Sequence, residues 1–307
     1  MRKQFYRFLT ALVRKGDNPL LDSLAQLIVQ GIAAGYYFLL PGRVAVGLDF
    51  YQALFPGKRR IFYRRLVWQQ YRNFTSVYLD RLRLGQHTAI QYTCEGWEYL
   101  EQVRTAGRGG VILMSHLGNW ELAAHLMKQA APDLPLLLYM GIQAREAIEG
   151  IQKAELAAGG IQIHAVDQQG GSPLDLLAGL NFIQSGGFVS MTGDRLWHES
   201  QRWTTATFLN RQIRLPEAPH LFALLSGAPI LTFFSFRTAP RSFHFTLSAP
   251  RYLKAPSRRE RAGAIAASAQ AYADLLEAAL RRHPGEWYHF EPFLGSRVAG
   301  GDLKSEI

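Results

Sequence analysis

The sequence GGVILMSHLGNWELAAHL, Gly109 to Leu126, decides the architecture. Val111-Ile112-Leu113-Met114 is a short apolar run of the kind that forms a buried strand, and Leu122 onward is Ala/Leu-rich and helical. Between them lies Ser115-His116-Leu117-Gly118-Asn119-Trp120-Glu121. Gly118 permits a turn and Asn119 is a favoured helix N-cap, so a strand hands over to a helix here. His116 and Glu121 then sit at a strand's carboxyl end, where open α/β sheets bind their ligands.

The same alternation continues downstream. Residues 134–140, 161–166 and 187–192 read as apolar strands, separated by helices predicted over 143–158 and 173–185. Residues 205–214 read as one further strand, 216–226 as a helix, and 229–237 with 242–249 as a strand pair. A long Ala-rich amphipathic helix follows over 258–282, then the aromatic segment EWYHFEPF from Glu286 to Phe293. The predicted fold class is α/β, with a largely parallel central sheet flanked by helices.

Upstream the pattern is helical. Residues 3–15 place Phe5, Phe8, Leu9, Leu12 and Val13 on one face, with Arg2, Lys3, Arg7, Arg14 and Lys15 around them. That composition suits a helix lying in a membrane interface. Leu20 to Leu40 is long and apolar enough to span a bilayer, but Asp22, Gln26 and Gln30 recur every four residues as a polar stripe. A helix half buried in protein or lipid fits better, with a single span as the alternative. Residues 41–90 mix Lys58, Arg59, Arg60, Arg64, Arg65 and Arg72 with Phe62, Tyr63, Trp68, Tyr71, Phe74 and Tyr78. These aromatics suit a membrane interface or, for half of them, plain core packing. The expected organisation is a helical membrane-associating region over 1–90, an α/β core over 91–296 and a flexible tail over 297–307, as one domain overall.

The 307 residues are 48% hydrophobic and 19% charged, enough for a large core, and carry a net charge of +10. A basic surface suits anionic lipid or an acidic protein. No nucleic-acid motif accompanies it, so no nucleic-acid partner is expected. No signal peptide is expected either. The single cysteine, Cys94, excludes an intrachain disulfide and a cysteine-based metal cluster. No metal site is expected, since a lone His-Glu pair supplies too few ligands. On one regular helix, His116 and Glu121 would stand about 140° apart. With His116 in the loop before the helix they can approach, the carboxylate then fixing the imidazole tautomer as in a hydrolase triad.

Ser115 to Glu121 resembles the His-x4-Asp/Glu motif of glycerolipid acyltransferases, and its Gly-Asn-Trp-Glu form resembles the bacterial lipid A late acyltransferases, the lauroyl and myristoyl transferases. Three further blocks carry the resemblance in order. They are Thr192-Gly193-Asp194-Arg195, the run Phe208 to Leu225 with Gly227-Ala228-Pro229 after it, and Glu286-Trp287-Tyr288-His289-Phe290. The resemblance covers roughly residues 20–293. It departs at Asn210, where Gly is expected, at Glu217-Ala218, which replace a small/Gly pair, and at Glu286, which stands for Gln.

The resemblance implies transfer of a fatty acyl chain from an acyl thioester, carried on acyl carrier protein or CoA, to a lipid hydroxyl or amine. His116 is then the general base and Glu121 its orienting partner. Arg195 is placed to bind a phosphate, with Asp194 beside it at the next strand's mouth. Amides near Gly118 and Asn119 are candidates to stabilise the oxyanion. No cofactor is implied beyond the thioester co-substrate. A lipid A precursor is the first acceptor to consider. Another lipid or polyene acceptor, or a thioesterase using the same dyad, are the alternatives. The implied location is the cytoplasmic face of the bacterial inner membrane, peripheral or with one N-terminal span. Lys58 to Arg65, or Arg258, Arg259 and Arg261, are candidates to dock an acidic carrier protein.

Overall fold

The structure, a computed structural model, describes residues 19–84, 90–141, 157, 160–166, 173–198, 200–239 and 241–298. The helix expected over 3–15, nearly all of that expected over 143–158, and the tail from 299 lie outside the described residues.

Three helices open the described chain: α1 (Pro19–Leu39), α2 (Pro41–Leu54) and α3 (Arg60–Leu84). The α/β portion follows as β1 (Gln91–Glu95), α4 (Trp97–Thr105), β2 (Gly110–Met114), α5 (Trp120–Ala130), β3 (Leu136–Gly141), β4 (Gln162–Val166), α6 (Pro173–Gln184) and β5 (Phe188–Thr192). It ends with β6 (Trp203–Phe208), β7 (Arg211–Pro216), α7 (Ala218–Ser226), β8 (Ile230–Ala239), β9 (Ser242–Leu247) and α8 (Arg261–Arg282).

Seven strands form one sheet in the order β1-β9-β8-β2-β5-β3-β4. All neighbours are parallel except β8 and β9, which form an antiparallel hairpin. The sheet is therefore mostly parallel, as expected, and its central strand β2 is buried along its whole length. Alternate residues of β2 serve two cores. Val111 and Leu113 face α7 and α8, with Ala269, Tyr272, Ala273 and Leu276. Ile112 and Met114 face α4 and α5, with Leu100, Leu122, Ala123 and Leu126. On α8 the buried residues Ile265, Ala269, Tyr272, Leu276 and Leu280 recur every three or four positions, one face of a helix.

The stretch 205–214, expected as one strand, is a separate two-stranded hairpin, β6 with β7. The chain reverses at Leu209 and Asn210, with φ of 52° and 58°. Two positive φ values in succession make the turn that matches strand twist. Asn tolerates this conformation, which accounts for Asn210 where the resemblance expects Gly. Gln270 on α8 grips the hairpin, accepting from the Thr207 amide and donating to its carbonyl at 2.7 and 2.8 Å.

The aromatics of α3 face inward: Tyr63 and Tyr71 are buried and Phe62 and Trp68 pack against the core, whereas Arg60, Arg64, Arg65 and Arg72 are exposed. α1 buries Ala25, Val29 and Ala33 and exposes Leu20, Leu24, Leu27 and Phe38 on the opposite side. Among the described residues no single helix is long and apolar enough to cross a membrane; Ser23–Leu39 and Pro41–Leu54 reach that length together but are bent by 89°.

Candidate active site

β2 and β5 are neighbours in register, with Met114 opposite Thr192. Their carboxyl ends run side by side into Ser115-His116 and Gly193-Asp194, and the Gly193 amide donates to the Met114 carbonyl at 2.8 Å. Sheet order alone thus brings His116 to Asp194 across 78 positions of sequence. His116 Nδ1 lies 2.9 Å from Asp194 Oδ1, and the His116 backbone N–H donates to Asp194 Oδ2 at 2.8 Å.

Asp194 is fully buried. Burial alone pushes its carboxyl up, but the charge and hydrogen bond of His116, the His289 ring and the Trp287 indole N–H together hold it down at about 2. A charged carboxylate facing Nδ1 makes that nitrogen the protonated one, so Nε2 carries the lone pair. Nε2 has no hydrogen bond to any described residue, and the His116 side chain is about one quarter exposed.

The loop that presents His116 is held by the segment that follows α8. Leu117 bridges Trp287 in antiparallel fashion. The Gly118 amide donates to the Glu286 carbonyl and the Tyr288 amide to the His116 carbonyl, both at 2.8 Å. The Trp287 indole donates to Asp194 Oδ2 at 2.8 Å. This segment is gripped in turn by α3, where Gln70 donates to the Trp287 carbonyl and Asn73 to the Glu286 carboxyl at 2.6 and 2.7 Å. Gly118 has φ 68°, and a Cβ there would meet the Ser235 carbonyl oxygen at 1.9 Å, so only glycine makes this corner.

The residues expected from sequence separate into two groups. His116 and Asp194 are in contact. Glu121 does not hold Nδ1: its carboxylate faces Arg81 Nε at 3.2 Å, both side chains buried. The assignment of Glu121 as the orienting partner is corrected to this extent, because Nδ1 is taken by Asp194. The residue preceding Arg81, Asp80, pairs with Arg237 at 2.8 Å, so two adjacent side chains of α3 tie it to α5 and to β8.

Asn119 caps α5, its Oδ1 accepting from the Leu122 amide at 3.0 Å. The Gly118 amide, expected as an oxyanion donor, is committed to Glu286; the Asn119 amide makes no such bond to a described residue. Arg195 pairs with Glu291 at 2.8 Å on the surface. A pair so exposed contributes at most about 1 kcal/mol, so a phosphate could displace the carboxylate. Trp287 and its neighbours are legible in the sequence as an aromatic block and as part of the family resemblance, with no site role assigned to them. Among the described residues no three His, Cys, Asp or Glu side chains converge to hold a metal.

A family model described as bacterial lipid A biosynthesis acyltransferase matches residues 52–294. The chain belongs to that family. The match begins inside α2 and runs through the hairpin and the Trp287 segment, so every side chain described at the site lies within it. Membership makes the protein an acyltransferase acting on lipid. No individual curated protein matches the chain.

Proposed function

We propose that this acyltransferase moves a fatty acyl chain from a thioester, on acyl carrier protein or CoA, to a hydroxyl of a lipid A precursor, with His116 as general base and Asp194 as its orienting partner. The observation that carries the reading is the His116 imidazole held by buried, charged Asp194 at the carboxyl edge of the sheet, with Nε2 left open. His116 Nε2 takes the proton of the acceptor hydroxyl as its oxygen attacks the thioester carbonyl. The new C–O bond forms, and the resulting oxyanion accepts from the Asn119 amide at the start of α5. The tetrahedral intermediate then expels the thiolate, which takes the proton back from the imidazolium. Asp194 stabilises that imidazolium without itself being protonated. Glu121, paired with Arg81, fixes the first turn of α5 and hence the position of the Asn119 amide.

The acceptor is amphiphilic, which supports work at a membrane surface; the cytoplasmic face of the inner membrane is the location the family resemblance implies. The exposed stripe of Leu20, Leu24, Leu27 and Phe38 on α1 supports docking there. The basic face of α3 supports attraction to anionic headgroups or to an acidic carrier protein.

Mass spectrometry of lipids from cells with and without the protein tests the reading. The expected result is one lipid class heavier by one acyl chain only when the protein is present. Release of free fatty acid with no acylated lipid would instead assign a thioesterase.

A further inference from the structure

Beside the dyad, between α2 and the segment after α8, lies a cavity of about 240 Å³. Its wall is mainly Ala45, Val46, Phe50, Phe293 and the Trp287 ring, which also holds Asp194. His289 is the polar exception that neither charge nor an ion pair accounts for. Its ring stacks on Trp287 with centroids 4.9 Å apart and meets the edge of Phe293 at 5.1 Å.

The hydrogen bonding of His289 fixes what it offers. Nδ1 lies 3.1 Å from the Glu291 carbonyl oxygen, which can only accept, so Nδ1 carries the proton. Burial pushes this imidazole down to about 4; Asp194 and the Glu291 carbonyl oppose that, while His116 and Arg195 add to it. At neutral pH, Nε2 is therefore an acceptor, and it bonds to none of the described residues.

Among the described residues the charged groups around the cavity are paired, Asp49 with Arg211 at 2.9 Å and Glu291 with Arg195 at 2.8 Å. A phosphate that displaced Glu291 from Arg195 would still meet an aromatic wall and offer no donor to Nε2. A plain alkyl chain would match the aromatic wall but leave Nε2 without water and without a donor. The occupant that satisfies both is uncharged, largely apolar, and carries one N–H or O–H.

We propose that this cavity binds the part of the acyl donor next to the reacting thioester, with His289 Nε2 accepting a hydrogen bond from an uncharged donor group on it. This rests on the acyl-transfer reading above. Two parts of such a substrate carry that chemistry: the pantetheine arm, common to both thioester carriers, with its amide N–H groups and pantoyl hydroxyl, and the hydroxyl of a hydroxylated acyl chain. His289 is then a specificity residue that distinguishes substrates by a hydrogen bond.

The test is calorimetric binding of three thioethers that cannot react: S-dodecyl-pantetheine, the same compound with both amides N-methylated, and the N-methylated compound bearing a 3-hydroxydodecyl chain. His289→Asn keeps a donor toward Glu291 and removes the acceptor at the Nε2 position; His289→Gln places an amide oxygen near it. About tenfold weaker binding to His289→Asn, restored in His289→Gln, is the expected result. Confined to the first compound, the loss identifies an amide N–H of the pantetheine arm; confined to the third, the acyl hydroxyl; common to all three, the pantoyl hydroxyl. Wild-type affinity of His289→Asn for all three overturns the proposal while leaving the acyl-transfer reading intact. Wild-type protein that binds none of the three overturns both.

Discussion

His116 works through two neighbours that are remote in sequence, and each makes a separate demand. Asp194 must stay charged, and it does so in full burial because three donors reach it: the His116 ring, the His116 amide and the Trp287 indole. Replacing Trp287 by Phe keeps most of the ring packing against Phe50 and Phe293 and removes one donor. The Asp194 carboxyl then rises from about 2, which a titration of the folded protein followed at that carboxyl reads directly, and kcat falls about tenfold. A Trp287→Phe enzyme that is slowed while the Asp194 titration stays in place would show that the indole only packs.

Glu286 shows the opposite electrostatics one residue away. Burial, with Asp80 adding to it, pushes its carboxyl up to about 7 against the pull of Tyr288 and Arg237. The folded state thus keeps a proton that the unfolded chain releases near 4.5. The stability this proton contributes is present in full below about pH 4.5 and is lost as pH rises through about 7, on the order of 3 kcal/mol. Glu286→Gln, the residue the family resemblance expects, holds its neutral form at every pH. Its melting temperature should exceed that of the wild type at pH 8 and match it near pH 4.5.

At the scale of elements, two faces of α1 divide the labour. Ala25, Val29 and Ala33 let α1 approach the protein closely, and Leu20, Leu27 and Phe38 remain 65 to 77% exposed. Burying three such side chains in a bilayer contributes several kcal/mol, about 1.5–3 for each. Glu at all three positions should therefore cut the vesicle-bound fraction at least a hundredfold in a flotation assay. Hydrolysis of a water-soluble thioester should be unchanged, because the dyad lies on other elements.

Much of the element pattern was legible because the strands are short apolar runs and the helices keep a clear period, as in β2 and α8. The hairpin was not. Leu209-Asn210 lacks the glycine that usually signals a two-residue turn, so β6 and β7 read as one strand. The site was half legible for a similar reason. Local sequence shows what can stand next to His116 within one turn of chain, which favoured Glu121. The partner it has comes from β5, adjacent to β2 only through the order of strands in the sheet. Asp80 and Arg81 gave no signal, because in a basic helix they read as surface charges.

At the scale of the whole molecule, α3 connects the parts. It packs against α1, pairs with β8 and α5 through Asp80 and Arg81, and grips the Trp287 segment through Gln70 and Asn73. The helix beside the exposed apolar face of α1 thus also holds the strap that positions His116 and Asp194. The net charge of +10 adds a long-range term, which is screened by salt, whereas the contribution of α1 is not. In the proposed function both serve to bring the acceptor within reach of the dyad. The most direct test of the account is the rate of acyl transfer from radiolabelled acyl carrier protein to a lipid A precursor in vesicles, with wild type, His116→Ala and Asp194→Asn compared at equal folded, membrane-bound protein. A labelled lipid product is expected from the wild type, and a rate at least a hundredfold lower from each variant. Undiminished labelling by His116→Ala would contradict the account.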